Sequence, residues 1–272
     1  MTHLEKILAT TRDSAAAAKE RVPSHELERL ASQHHPRGWC EAIKAKSVDG
    51  PAIIAELKKA SPSKGLIRED FDIEWLARRY ADGGAAALSV LTDEPYFQGS
   101  LRNLELASGA VSLPCLRKDF IIDEYQVIEA RAHAADAILL IAAALKSHEL
   151  LYLIRTARTL SLDILCEVHT SEELDRVLSL SEIPDAIGVN NRNLSTFDVR
   201  LETSLELVDR IPKTVLRVAE SGIASGTDLA RLRNAGFNAF LIGESLMRQP
   251  DPAVALQTLI TDSVSAQVGQ GI

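Results

Sequence analysis

From about residue 50 onward, short apolar runs alternate with amphipathic stretches, and a polar or glycine-containing turn joins each pair. The runs at 53–58, 87–91, 113–118, 137–141, 163–168, 186–190, 215–220 and 239–242 read as strands. Their starts lie roughly two dozen residues apart, about one strand–helix unit with its loops. Between the runs, Ile73, Leu76, Ala77 and Tyr80 follow the i, i+3, i+4, i+7 spacing of a helix, and Asp72 is placed to cap it. Thr170 and Glu173 have the spacing of a capping box, and Gly236 marks a helix stop before the eighth run. Alternating units of this kind favour a parallel sheet, and eight of them favour closure into an α/β, (β/α)8 TIM barrel. An open doubly wound sheet is the alternative, but no G-x-G-x-x-G follows the first run.

The first run and its sequel, IIAELKKASPSK (53–64), put Ile53, Ala55 and Leu57 on one face and Ile54, Glu56 and Lys58 on the other. The second face carries opposite charges where packing alone would place none.

Residues 1–48 stand outside the repeat. They read as an N-terminal helical extension with helices at 3–20, about 25–33 and about 39–46, the last two separated by His34-His35-Pro36-Arg37-Gly38. The extension is expected to pack on the barrel as a cap or to form a partial lid. Residues 49–263 are then the barrel, 264–272 a frayed tail, and 1–272 one domain.

The balance of charges changes the picture only by exclusion. A formal net charge of −8 argues against a broad nucleic-acid surface, though a few converging cations would still serve a small anionic substrate. Cys40, Cys115 and Cys166 lack metal-type spacing and read as free thiols in a reducing cytosol. No signal-peptide pattern opens the chain and no apolar stretch approaches membrane-spanning length, so a cytoplasmic protein without a membrane partner is expected. A monomer is expected, with a weak homodimer as the alternative.

In such a barrel, chemistry gathers where the strands end. The first run ends in Glu56 and Lys58, followed by Ser61; the third ends in Lys118, with Phe120 beyond it. The fifth carries Glu167, the sixth Asn190 and Arg192, the seventh Glu220 and Ser221. Three carboxylates and three cations thus converge on one rim. Buried ions are unfavourable unless paired, and neighbours of opposite sign shift each other's proton affinity, as acid–base catalysis requires. His169 is read as a loop histidine, the pair His34-His35 as lacking ligand partners, and Asp119 and Asp123 as capping residues. No metal or nucleotide motif appears, so no cofactor is expected. After the seventh and eighth runs, AESGIASGTD and IGESLM supply Gly222, Gly226 and Gly243, the last opening a short extra helix. Backbone N–H groups there suit a phosphate.

These segments resemble the indole-3-glycerol phosphate synthase family. The resemblance is carried by IIAELKKASPSKG (53–65), PYFQGS (95–100), PCLRKDFIIDEYQ (114–126), AILLIAAAL (137–145), IGVNNRNLSTFDV (187–199), AESGI (219–223) and FLIGESLM (240–247), across essentially the whole chain. It implies a cofactor-free barrel that closes an indole ring with loss of carbon dioxide and water. By motif position it implies Lys118 as general acid for ring closure, and Glu167 and Lys58 for later proton transfers. Glu56 and Glu220 complete the charged set. Asn190, Arg192 and Ser221 would orient the substrate, Phe97 and Phe120 line its aromatic part, and Ser61, Gly222, Gly243, Glu244 and Ser245 hold its phosphate. The last four would act largely through backbone N–H groups. Ala219 and Ala60 depart from residues common in relatives, and the second weakens one expected phosphate contact. Two other readings compete: a Schiff-base lyase or sugar-phosphate isomerase with a nucleophilic lysine, and a non-catalytic barrel that binds a phosphate ligand.

Overall fold

Strands with apolar side chains on both faces must be covered on both, and a closed ring of strands inside a ring of helices does this without leaving an edge. In the computed structural model, which describes residues 2–193 and 196–268, the predicted runs form β1 (Ala52–Leu57), β2 (Ala87–Leu91), β3 (Cys115–Lys118), β4 (Ala137–Ile141), β5 (Asp163–Val168), β6 (Ala186–Asn190), β7 (Leu216–Glu220) and β8 (Ala239–Ile242). Each pairs in parallel with the next, and β8 closes on β1, giving a (β/α)8 barrel. β3 begins two residues later than its apolar run. Pro114 precedes it, and proline has no N–H to give to a ladder. The apolar pattern does not reveal a small antiparallel hairpin just past β1, Ala60–Ser61 against Gly65–Leu66.

The helices are α1 (His3–Arg21), α2 (Ser24–Ala31), α3 (Trp39–Asp49), α4 (Ile73–Asp82), α5 (Glu94–Phe97), α6 (Leu101–Ala110), α7 (Glu124–Ala132), α8 (Ser147–Thr159), α9 (Ser171–Leu178), α10 (Glu202–Leu207), α11 (Gly226–Asn234), α12 (Glu244–Met247) and α13 (Pro252–Val268). Asp72 caps α4 as its position implies. Helix α13 runs to Val268, into the stretch expected to be a tail. Residues 269–272 lie outside the described residues, as do Leu194 and Ser195 of the fifth family-like segment.

The core has two layers. Ile53, Ala55 and Leu57 join the shell between strands and helices, whereas Ile54 joins Leu116, Leu139, Leu165, Val218 and Leu241 inside the barrel. The period-2 alternation of β1 therefore sorts its residues as expected. At the bottom, alanines begin five strands (Ala52, Ala87, Ala137, Ala186, Ala239), and their small side chains make room for Trp39 and Ile43 of α3, both fully buried.

The extension before β1 does two jobs. α3 plugs the lower end of the barrel. The loop ahead of it is anchored by Arg37, whose guanidinium and backbone N–H donate to the fully buried Asp136 carboxylate at the start of β4. His34, read from sequence as partnerless, approaches the same carboxylate at 3.1 Å. Helix α1 instead reaches the opposite end, where His3, Leu4 and Ile7 line the mouth.

Candidate active site

Parallel register fixes how the rim residues meet. Glu167 of β5 lies level with Gly188 of β6, and Glu220 of β7 lies level with Asn190. Both carboxylates therefore point inward beneath a mouth cavity of about 360 Å³. Lys118, the last residue of β3, extends across the barrel: its Nζ donates to Glu167 Oε2 at 3.2 Å and lies 3.6 Å from Glu220 Oε2. Lys58 donates to Glu56 Oε2 at the end of β1. All five groups line this cavity.

Burial makes these neighbours strong influences. Burial pushes the Glu220 carboxyl up, and the adjacent Glu167 charge adds to it. Together they outweigh Lys118 and bring Glu220 to about 8. Glu167 moves the other way: burial raises it, but the Lys118 ammonium and His169 hold it well below the usual carboxylate range. The two carboxyls thus divide at neutral pH into an ionised Glu167 and a protonated Glu220, a split that suits opposite acid–base roles. For Lys118, burial lowers the proton affinity, yet Glu167, Glu220 and Glu56 together raise it above the ordinary lysine range. Desolvation alone would have made it a readier proton donor; three carboxylates reverse that. A firmly protonated ammonium is also the opposite of the free amine that a Schiff-base nucleophile needs.

Two glycines make space for the carboxylates. A Cβ at Gly188 would collide with Glu220 Oε1, and a Cβ at Gly243 would collide with Glu56 Oε2. Glu220 Oε1 is buried and has no hydrogen-bond partner.

One end of the cavity is built from backbone. Ser221 and Gly222 adopt φ of 65° and 79°, a left-handed pair that turns the chain sharply after β7. Asn191 holds this turn: its Nδ2 donates to the Ser221 carbonyl, and its Oδ1 accepts from Ser204 N–H. Gly243 precedes α12, so the N–H groups of Glu244 and Ser245 open a helix beside it. Ser61, Gly222, Gly243, Glu244 and Ser245 all border the cavity. The Glu244 carboxylate itself is turned toward Arg248, at 3.2 Å, and toward Lys64 and Arg192, each at 3.9 Å. Gly226 does not belong here. It packs on α13, where a Cβ would strike Asp262 and Ser263, so its smallness serves helix packing.

The other end is aromatic. Phe97 and Phe120 face each other with ring centroids 6.3 Å apart. Asp93 accepts from the Tyr96 and Phe97 N–H groups and so fixes the short helix that carries Phe97. Between the two ends stand Asn190, whose Oδ1 accepts from Arg192 N–H, and Arg192, whose Nη1 donates to the Phe197 carbonyl. From α1, His3 meets the edges of Tyr96 and Phe197 at 6.0 and 5.2 Å.

Apart from Gly226, every residue expected at the site therefore borders one cavity. Sequence reasoning missed His3, Leu4 and Ile7, which reach it only through the path of α1, and Asn191 and Asp93, which support it through backbone bonds. It also misread two residues. Asp119 is no helix cap: it is the buried partner of Arg117 (3.0 Å) and accepts from Thr92 and from Phe120 N–H. His169 is no idle loop residue, because it lies 3.3 Å from Glu167 Oε1. Asp123 does cap α7. Among the described residues, no three His, Cys, Asp or Glu side chains gather as metal donors, and no helix is long and apolar enough to cross a membrane.

Comparison with known proteins places the chain in a family. Residues 4–259 match the family model described as indole-3-glycerol phosphate synthase. An indole-3-glycerol phosphate synthase of Koribacter versatilis is 55% identical over 257 residues, covering 94% of this chain and 98% of that protein. One from Burkholderia vietnamiensis is 49% identical over 254 residues, covering 93% and 97%. Among solved structures, 3-hexulose-6-phosphate synthase from Salmonella typhimurium superposes with a TM-score of 0.62 at 13% identity, covering 79% of this chain and 99% of that one. At that identity the likeness shows the barrel alone.

Proposed function

The chain belongs to the indole-3-glycerol phosphate synthase family, and from that premise we propose how its rim residues divide the reaction. The enzyme is a carboxy-lyase of tryptophan biosynthesis. It converts 1-(2-carboxyphenylamino)-1-deoxyribulose 5-phosphate into indole-3-glycerol phosphate, carbon dioxide and water.

The substrate is anionic at both ends, and the cavity suits it end to end. The aromatic ring packs between Phe97 and Phe120. The phosphate meets the N–H groups around Gly222, Gly243, Glu244 and Ser245, with Ser61 beside them. Asn190, Arg192 and Ser221 orient the connecting chain, and the cations Lys58, Lys118 and Arg192 offset its charge within an acidic protein.

Ring closure requires the arene carbon that bears the carboxylate to attack the ketone. The ketone oxygen becomes an alkoxide and must gain a proton. Lys118 donates it, and its high proton affinity is no obstacle, because an alkoxide is more basic still. Loss of carbon dioxide then restores aromaticity. Dehydration needs one group to take a proton from the ring-closed intermediate and another to protonate the departing hydroxyl. Glu167, ionised, and Lys58, with Glu56 beside it, serve these steps, while Glu220 completes the charged set.

One observation carries this reading: Lys118 Nζ sits between Glu167 and Glu220 at the floor of the cavity, 3.2 and 3.6 Å away. All proposed roles fall within one chain, which supports a monomeric enzyme, and a biosynthetic role supports the cytoplasm. We also read residues 1–48 as an extension of one catalytic unit rather than as a separate domain. The test is turnover by the purified chain alone, followed through indole fluorescence with carbon dioxide released in equal amount. No turnover, or fluorescence without carbon dioxide, would overturn it.

A further inference from the structure

The turn after β5 carries a histidine that the acid–base scheme leaves without a task. His169 stands two residues past Glu167, just before Thr170, the cap of α9. Its Nε2 lies 3.3 Å from Glu167 Oε1, on the side of that carboxylate opposite Lys118. Its Nδ1 lies 3.3 Å from Glu173 Oε2. The same Glu173 oxygen accepts from the His169 backbone N–H at 2.7 Å. The expected capping box is therefore altered. Thr170 accepts from Glu173 N–H as usual, but Glu173 reaches past the cap to His169. A residue that would ordinarily close the helix end instead grips the histidine at both backbone and ring.

We propose that His169 is a positioning residue for the reaction: clamped by Glu173 in the first turn of α9, it holds the Glu167 carboxylate in its working orientation from the side away from Lys118. The inference rests on the reading of Glu167 as a catalytic group.

Three features support it beyond proximity. The ring is largely buried, with its side chain 9% exposed, and Nε2 is wholly shielded without a well-directed hydrogen bond. Each ring nitrogen faces a carboxylate oxygen, and a neutral ring would set one bare lone pair against an anion, so the arrangement is favourable only when both nitrogens carry protons. The surroundings supply that condition: burial pulls the imidazole down, but the close approach and charge of Glu167 and Glu173 raise it to about 10. Glu167 in turn faces Lys118 from β3, protonated Glu220 from β7, Asn190 from β6 and His169. Arg176, one turn along α9, is committed to the carbonyls of Ala142 and Leu145 and cannot substitute for the imidazolium.

The experiment joins a direct readout to a kinetic one. Nitrogen-15 NMR of the histidine-labelled full chain should find both His169 ring nitrogens protonated from pH 6 to beyond pH 8, where a free histidine is neutral. Glu173→Gln should bring deprotonation of His169 to lower pH. In the pH profile of kcat/KM, His169→Gln should lower activity most at acid pH, moving the acid limb upward by about one unit, a tenfold loss there. Glu173→Gln should move it the same way by less, and His169→Lys, which restores a cation, should bring it back. A neutral His169 at pH 7, or a His169→Gln profile that keeps its shape while dropping uniformly, would overturn the inference. Glu167→Gln separates the two claims. If that variant keeps its turnover, the catalytic reading of Glu167 has failed; if it is inactive while the His169 profile is unmoved, only the positioning role has failed.

Discussion

Replacing Glu220 by glutamine should make the protein more stable above neutral pH while slowing its reaction. In the folded chain this carboxyl loses its proton only near pH 8, because burial and the Glu167 charge resist its ionisation. In the unfolded chain a glutamate titrates near about 4.3. Between those values the folded state holds a proton that the unfolded state has released. Stability must therefore fall as pH rises through this window, and the loss is complete once pH exceeds the folded value. Each unit of difference corresponds to about 1.4 kcal/mol, which puts the deficit at the order of a few kcal/mol.

Glutamine has the same shape and no charge, so it removes this term without opening a cavity. Urea unfolding followed by circular dichroism, at about pH 5 and about pH 8.5, would measure it. The variant should gain little at the lower pH and on the order of a few kcal/mol at the higher. Turnover should drop in the same preparation. A stability difference that stays constant with pH, or shrinks as pH rises, would refute the assignment of Glu220 as the protonated member of the carboxyl pair.

Gly188→Ala should fold, yet its added methyl would drive into Glu220 Oε1; kcat should fall at least tenfold while far-UV circular dichroism stays unchanged, roughly a 1.4 kcal/mol displacement of the barrier. Unchanged kcat would mean that Glu220 tolerates another position. Arg37→Ala removes the main partner of a fully buried carboxylate, Asp136, which keeps only His34 and backbone N–H groups. Loss of a hydrogen bond to a charged group destabilises by about 1.5–3 kcal/mol, and thermal unfolding should show it while kcat measured well below the transition is retained.

The barrel was legible because its two signals are local. Short apolar runs marked the strands and amphipathic stretches the helices, and in the first run Glu56 and Lys58 stood out as charges on the face that Ile54 shares. Lys118, Glu167, Asn190 and Glu220 were found the same way, as polar residues at the ends of apolar runs. Where the sequence misled, the deciding partner lay far along the chain or in an unexpected direction. Asp119 has a cap's residue type and place, and only the fold turns Arg117 toward it. Gly222 and Gly226 look alike in the sequence; one bends the chain at the cavity, the other touches α13 about forty residues on. His169 was misjudged for a related reason. The neighbouring Thr170 and Glu173 signalled a helix start, and a helix start does not disclose which donor the glutamate will choose. The reach of α1 to the mouth left no trace in its own amphipathic pattern. That detour is set by its docking on α7, where Tyr125 Oη donates to the Ala18 and Val22 carbonyls.

The central claim is that Lys118 protonates the ketone oxygen during ring closure. Steady-state turnover of Lys118→Ala, measured beside the affinity of the same variant for a reduced substrate analogue, tests it most directly. Loss of a positioned general acid lowers the rate by about 10²–10⁴-fold, so kcat should fall in that range while the analogue still binds through the phosphate loops and aromatic wall. Near-normal kcat in Lys118→Ala would contradict the account, whatever the affinity.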